Sequence, residues 1–276
     1  MTVLSKKIAV GFVIYNEGSE FVAKLELLAK NNLQIYLFDN SPGINRTNNY
    51  VDIEKATIHY ASFGRNVGLG IGMSEICSEA FNHGFKYLLF FDQDTVFTKQ
   101  TLDFASKLIE KETLKEYSAL SFANAAPSFK KDSKPVRQDG YHEMVSTNLI
   151  RNSGSIFILD SLKEMKWFNK EFFVDGVDYE FSLRSSIHNY KLATVNPVPG
   201  FDHETEQGNQ SYTILGKNFV GRNYPKSRII DVIVSSLRII FSGLYHLKIG
   251  FVFLVFKHSI LFLVKQLLIR MFKVND

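Results

Sequence analysis

Apolar positions in the first two thirds of the chain fall into short solid runs separated by stretches of helical spacing. Residues 8–15 (IAVGFVIY) form a β-branched and aromatic run that stops at Asn16-Glu17-Gly18, which predicts a buried strand followed by a loop. Phe21, Leu25 and Leu28 then keep helical spacing up to Asn31-Asn32, and residues 34–38 make a second strand ending at Asp39-Asn40-Ser41-Pro42-Gly43. A short strand near 58–61, a helix over about 70–82 and the apolar run 87–91 ending at Asp92 continue the series. Such alternation predicts an α/β fold with a parallel sheet wound with helices. Polar residues that follow strand ends then collect at the sheet's carboxyl edge. Asp39 and the pair Asp92 and Asp94 hold such positions.

Further along, residues 125–141 are rich in Pro, Ser, Lys, Asp and Gly and read as a long surface loop or hairpin over the site. Ser153-Gly154-Ser155 opens a strand over 156–159, residues 162–167 look helical, 172–174 extended and 179–187 helical again. Beyond Pro225 the composition changes to Ile, Leu, Val and Phe punctuated by basic residues, so the chain divides into a body over 1–215 and a helical tail over 216–276. The longest wholly apolar stretch of the tail, 249–256, is eight residues and ends at Lys257-His258, too short to cross a bilayer that needs about 20. Ile260, Leu263, Val264, Leu267, Leu268 and Met271 share one helical face, with Lys257, Lys265 and Gln266 opposite. This predicts an amphipathic helix lying in a membrane interface. The competing reading is a helical hairpin packed on the body or on a second subunit.

Charge sharpens that division. From Lys226 onward the chain carries Lys226, Arg228, Arg238, Lys248, Lys257, Lys265, Arg270 and Lys273 against Asp231 and Asp276, a balance of +6 that leaves −2 for residues 1–225 of a chain totalling +4. A mildly acidic body with a basic, apolar tail suits an anionic membrane surface, and no arginine-rich stripe or motif points to nucleic acid. At 276 residues there is room for one large domain and an appendage. The single cysteine, Cys77, excludes an internal disulfide and a cysteine zinc cluster. Ser5, Lys6 and Lys7 before a short apolar run do not read as a secretory signal, so a cytoplasmic domain is expected.

Four segments carry candidate chemistry. Asp92-Gln93-Asp94, directly after a strand, can share one hard cation that neutralises a diphosphate, or can be an acidic turn. In Asp175-Gly176-Val177-Asp178-Tyr179-Glu180 a carboxylate can act as general base or cap the helix that follows, while Glu180, Phe181 and Arg184 brace the segment. His203, between Asp202 and Glu204, can offer an imidazole to a metal or be structural. Residues 65–72 (RNVGLGIG) precede a helix as a phosphate cradle does, or form a tight turn that lets the helix pack closely. Their spacing is neither the dinucleotide fingerprint nor a P-loop.

Taken in order over residues 7–224, these pieces resemble the family 2 glycosyltransferases of GT-A fold, and among them the bacterial rhamnosyltransferases. The resemblance rests on residues 13–17 (VIYNE), 38–41 (FDNS), 66–70 (NVGLG), 91–95 (FDQDT), 153–155 (SGS) and 172–184 (FFVDGVDYEFSLR), with His203 and Arg222-Asn223. It implies a GT-A catalytic domain over 1–215 and a metal, Mg²⁺ or Mn²⁺, held by Asp92, Asp94 and His203. Donor contacts are implied for Tyr15, Asn16, Glu17, Asp39, Asn66, Gly68, Asp92 and Gln93, with Asp39 at the nucleotide base. Asp178 is implied as the base of a single inverting displacement. Where many members carry Glu-Asp this chain has Val177-Asp178, which leaves Asp175 as a rival base. The resemblance further implies a dTDP-L-rhamnose donor and a saccharide acceptor, lipid-linked, in bacterial cell-surface polysaccharide synthesis. The enzyme would then sit peripherally on the inner face of the cell membrane, a homodimer being compatible. Another donor such as a UDP-hexose is the nearest alternative. A sugar nucleotidyltransferase would show a basic glycine-rich signature after the first strand, where this chain has Tyr15-Asn16-Glu17-Gly18, and a non-catalytic scaffold would be expected to have lost a carboxylate.

Overall fold

The computed structural model describes residues 7–18, 20–43, 57–111, 114–123, 135–138, 143–203, 210–214 and 217–271. They form two compact units that part between His203 and Glu204.

The first unit is built on β1 (Ile8–Ile14), α1 (Glu20–Lys30), β2 (Gln34–Asp39), β3 (Ile58–Ser62), α2 (Leu69–Asn82) and β4 (Tyr87–Phe90). These strands pair in parallel in the order β3-β2-β1-β4. The solid apolar runs are explained by helices on both faces. Val10, Phe12 and Ile14 join Phe21, Leu25 and Leu28 of α1 in the main core, while Gly11 and Val13 meet Ile76 and Gly72 of α2. A strand covered on both sides has no solvent face to alternate toward.

The parallel pairing expected from the alternation holds for these four strands, and the rest of the sheet is mixed. After β5 (Thr95–Val96), α3 (Lys99–Lys111) and β6 (Tyr117–Phe122) come β7 (Pro135–Gln138), β8 (Glu143–Thr147) and β9 (Ser155–Ile158), then α4 (Leu159–Glu164), α5 (Val177–Ile187) and β10 (Lys191–Asn196). Among the described residues the large sheet has nine strands in the order β3-β2-β1-β4-β9-β6-β10-β8-β7. β9 is antiparallel to both β4 and β6, and β8 is antiparallel to β10 and β7. No described helix separates β6, β7, β8 and β9, and parallel neighbours need a long crossover. Most of the loop expected over 125–141 lies outside the described residues; its segment Pro135–Gln138 is the edge strand β7.

The second unit holds the pair β12 (Gln210–Ile214) and β13 (Lys217–Gly221), following the two-residue β11 (Asp202–His203), and then α6 (Lys226–Tyr245) and α7 (Ile249–Met271). The two helices form an antiparallel hairpin. Ser259 Oγ donates to Ser236 Oγ at 2.7 Å, and Gln266 reaches back to the start of α6, giving Nε2–H to the Arg222 carbonyl (2.9 Å) and taking the Tyr224 N–H (3.1 Å). Arg228 lies over the Tyr224 ring at 4.5 Å.

The tail therefore departs from its sequence reading in two ways. The helix runs on through Lys257-His258, and the continuous 23-residue α7, with an 18-residue window of mean hydropathy 1.9, is long and apolar enough to cross a membrane by length and composition. The face carrying Gln266, expected to be the polar outside, is the inside. Gln266 is 3% exposed beside Val255 and Ile269, whereas Ile260, Val264, Leu267 and Met271 point outward. An extended segment after β13 left backbone groups to satisfy, and an amide can serve an N–H and a C=O at once.

Candidate functional site

Asp92 follows β4 at the carboxyl edge of the sheet, and its turn is held from several sides. The Asp92 N–H donates to Ser153 Oγ (2.9 Å), Ser153 and Thr95 share a hydroxyl hydrogen bond of 2.6 Å, and Thr95 N–H closes the turn on the Asp92 carbonyl (3.1 Å). Ser153 and Thr95 are both buried. The middle residue, Gln93, is clamped. Its Oε1 accepts the Tyr15 N–H at 2.7 Å, its Nε2–H donates to the Tyr15 carbonyl at 3.3 Å, and its own carbonyl accepts Lys24 Nζ at 2.7 Å. Gln93 thus ties the turn to the loop after β1, and both ends of its side-chain amide are used on protein backbone.

The carboxylates crowd one another. Burial, then the charge of Asp94, then that of Asp178 push the Asp92 carboxyl up to about 7, against a hydrogen bond from Ser153 that lowers it. Asp178 is pushed up to about 6, chiefly by burial and further by Asp175, while the N–H groups of Tyr179 and of its own residue and the charge of Arg151 pull it down. Hard oxygen ligands that repel each other across a small space are the donor chemistry that suits a divalent cation. Among the described residues no group of three or more His, Cys, Asp and Glu side chains is arranged around a metal position. The backbone of His203 pairs with Thr95 in the short β5·β11 ladder, next to Asp94 in sequence. Its side chain lies outside the described residues.

α5 begins at Gly176, whose left-handed conformation (φ 83°) turns the chain into the helix without a side-chain cap. Asp178 lies in the first turn, and its Oδ1 accepts the Tyr179 N–H at 2.9 Å. Behind it the helix is rigidly braced. Glu180 pairs with Arg184 at 2.9 Å, Arg184 also donates to the carbonyls of Met165 and Trp167, and Phe181 sits against Phe157 and Phe168 at 5.3 and 5.1 Å.

Asp39, 1% exposed at the end of β2, accepts the Ser41 N–H (2.7 Å) on one oxygen and the Tyr60 hydroxyl (2.8 Å) on the other. Asn16, in the left-handed region at φ 48°, donates its N–H to Ser41 Oγ (2.8 Å), so the loops after β1 and β2 are joined; Glu17 follows in the same loop. The glycine-rich turn is used for packing. Gly68 (φ 92°) gives its N–H to Asn66 Oδ1 and its carbonyl to Asn40 Nδ2–H, and a Cβ there would meet the Phe173 carbonyl at 2.6 Å. A Cβ on Gly70 would meet the Asn169 carbonyl at 2.4 Å. These glycines let α2 abut the segment that leads into α5.

The sequence reading missed Lys24, Arg151 and the role of Ser153. Lys24 lies between the core positions Phe21, Leu25 and Leu28, and nothing local marks it.

No protein-family model matches the chain, and no curated protein matches it significantly. Solved structures do. The chain is similar to GalNAc-T7, crystallised with UDP, GalNAc and Mn²⁺, at 13% identity and a TM-score of 0.53 over 71% of this chain and 42% of that one. It is also similar to residues 1–349 of TarS from S. aureus at 15% identity and a TM-score of 0.49, covering 85% of this chain and 65% of that one. A third match is a cytidylyltransferase from Leptospira borgpetersenii, at 10% identity and a TM-score of 0.43 over 88% and 96%. This chain spans less than two thirds of the first two. The likeness to GalNAc-T7 establishes the fold, a mixed α/β unit of GT-A type.

Proposed function

We propose that this protein is an inverting, metal-dependent glycosyltransferase that moves a sugar from a nucleotide-sugar donor to a saccharide acceptor. The observation that carries the reading is the charge of Asp178 acting on the Asp92 carboxyl, which marks a base candidate and a diphosphate-side carboxylate as neighbours at one sheet edge. With its carboxyl near 6, Asp178 is ionised at neutral pH and more basic than an ordinary aspartate, as a general base should be. It takes the proton of the acceptor hydroxyl as that oxygen bonds to the anomeric carbon and the nucleoside diphosphate departs. Asp92 and Asp94, with His203 as the resemblance implies, would hold Mg²⁺ or Mn²⁺, whose charge when bound neutralises the leaving diphosphate. Ser153 and Gln93 keep the turn in register with the loop of Tyr15, Asn16 and Glu17, and the base pocket falls to Asp39.

The finer reading is a rhamnosyltransferase using dTDP-L-rhamnose on a lipid-linked acceptor in cell-surface polysaccharide synthesis. The resemblance around Asp92-Gln93-Asp94 supports it. The outward apolar face of the α6–α7 hairpin and its basic residues support a peripheral place on the cytoplasmic membrane face, and a homodimer is the competing use of that surface. The test is consumption of dTDP-L-rhamnose, UDP-glucose, UDP-galactose and GDP-mannose by the purified chain with and without Mn²⁺ or Mg²⁺. Preferential, metal-dependent use of dTDP-L-rhamnose is expected. Preference for a UDP-sugar overturns the donor, and no turnover of any sugar nucleotide overturns the enzyme.

A further inference from the structure

The short segment between β8 and β9 links the two halves of the site. The Ile150 N–H donates to Ser182 Oγ at 3.3 Å, one turn along α5 from Asp178, and three residues later Ser153 Oγ takes the Asp92 N–H. Between these anchors the Arg151 carbonyl accepts the hydroxyls of Ser121 and Ser155. The backbone is therefore pinned at both ends and in the middle, while the two side chains it carries there are uncommitted. The Arg151 guanidinium is exposed, with no hydrogen-bond or ion-pair partner among the described residues. Asn152 is 8% exposed, and its Oδ1 meets no donor.

A buried amide oxygen without a donor is costly, and such groups call for a partner from outside the chain. A guanidinium on a fixed backbone offers forked N–H donors matched to phosphate oxygens. Together they fit a group that is anionic at one end and carries a hydroxyl beside it.

We propose that Arg151 and Asn152 form an acceptor subsite, in which Arg151 binds a phosphate of the acceptor and Asn152 Oδ1 accepts a neighbouring hydroxyl. The inference rests on the glycosyltransferase reading above and specifies its acceptor class as phosphate-bearing. Position decides between this phosphate and those of the donor. Ile150, next to Arg151, is bonded to α5 one turn from Asp178, and the charge of Arg151 is felt by Asp178 and Tyr179. Arg151 thus stands within reach of the base, where an acceptor hydroxyl must arrive. An anionic acceptor held there would present its hydroxyl to Asp178 in a fixed orientation.

The test uses the full chain saturated with dTDP, or with UDP if that binds more tightly, in Mg²⁺, so that the donor phosphate positions are filled. Glycerol 3-phosphate and, in parallel, glycerol are titrated in and followed by calorimetry. Glycerol 3-phosphate is expected to bind and glycerol not. Loss of a charge-assisted pair should make Arg151→Gln weaken that binding about tenfold or more, with Arg151→Lys intermediate. Nucleotide affinity should stay within about threefold in both variants, since the diphosphate is held elsewhere. Equal glycerol 3-phosphate binding by wild type and Arg151→Gln overturns the subsite, as does its absence in wild type. A parallel loss of nucleotide affinity in Arg151→Gln reassigns the arginine to the donor and overturns the acceptor assignment. If wild type binds neither nucleotide, the glycosyltransferase reading itself fails and the subsite with it.

Discussion

In the N-terminal unit Phe157, Phe168 and Phe181 close on one another out of water, and buried polar groups such as Asp39, Thr95 and Ser153 lie at the carboxyl edge of the sheet, where the charge of Asp178 acts on Asp92. In the C-terminal hairpin the arrangement is reversed. Gln266 and Ser235 are buried between the helices, while Phe241 and Phe253 are 67% and 68% exposed, with Leu244, Tyr245, Phe256 and Leu267 also outward. The same residue types do opposite jobs. Burying phenylalanine stabilises the first unit by removing area from water, and buried polarity there is held at a cost for chemistry. In the hairpin, polar groups tie helix to helix, and many large apolar side chains face outward. A polar seam inside an apolar exterior is the order expected of helices that meet lipid, which supports the membrane reading.

The sharpest test of that contrast lies in the buried polar groups. Asp178→Asn should lower transfer by roughly two to four orders of magnitude, the usual worth of a positioned base, while nucleoside diphosphate binding and folding persist. Parallel loss of binding would make Asp178 a structural group, and loss of transfer in Asp175→Asn alone would pass the role to the rival carboxylate.

Next in size is the pair of phenylalanines. Phe181→Ala should cost about 3–5 kcal/mol in denaturant unfolding, because it leaves a cavity among Phe157, Phe168 and the α5 backbone. Phe253→Ser should change stability by no more than about 0.5 kcal/mol, as exposed positions do. The same Phe253→Ser change, combined with Phe241→Ser, should reduce flotation with anionic vesicles in a way that salt does not restore. Equal flotation with and without these side chains would end the membrane reading, and a change from dimer to monomer would replace it with self-association.

Removing the seam should act more gently. Gln266→Leu leaves the Tyr224 N–H and the Arg222 carbonyl without their partner, for about 1–3 kcal/mol, and should appear as faster amide exchange at the start of α6. Unchanged exchange there would mean that the apolar contacts of Val255 and Ile269 alone hold the hairpin.

One expected effect is a gain. Asp92 binds its proton up to about pH 7 in the folded protein and releases it near 4 when unfolded. Between those values the folded state holds the extra proton, so the stability this group contributes is complete below about pH 4 and lost as pH rises through 7. Asp92→Asn should therefore unfold like the wild type in acid and be more stable by up to about 4 kcal/mol at pH 8 in chelator. A variant no more stable than wild type at pH 8 would show the crowding of Asp92, Asp94 and Asp178 to be relaxed in solution.

Much of the first unit was legible in the chain. The strand-helix series to residue 91 follows from runs too apolar for anything but a doubly covered strand, and the bracing role of Glu180, Phe181 and Arg184 follows from their spacing on one helix. The antiparallel β9 was not legible, since a four-residue apolar run has no direction written in it and only its neighbours choose one. Nor was the inside of α7, whose face depends on where α6 lies.

By itself the sequence determined which residues end strands, and so which carboxylates gather at one sheet edge, because strand periodicity and strand ends are local properties of the chain. Tertiary structure alone decided what those residues do with their remaining groups. Tyr15 and Gln93 are far apart in the chain and clasp through backbone N–H and C=O groups that any residue could have supplied. Gly68 meets Phe173 because one helix must abut another segment closely, and the charge of Arg151 reaches Asp178 because a strand connection happens to pass α5 at Ser182. Hydrogen bonds and charges act over a few ångströms in space whatever the separation in sequence, so their partners are known only once the chain has packed.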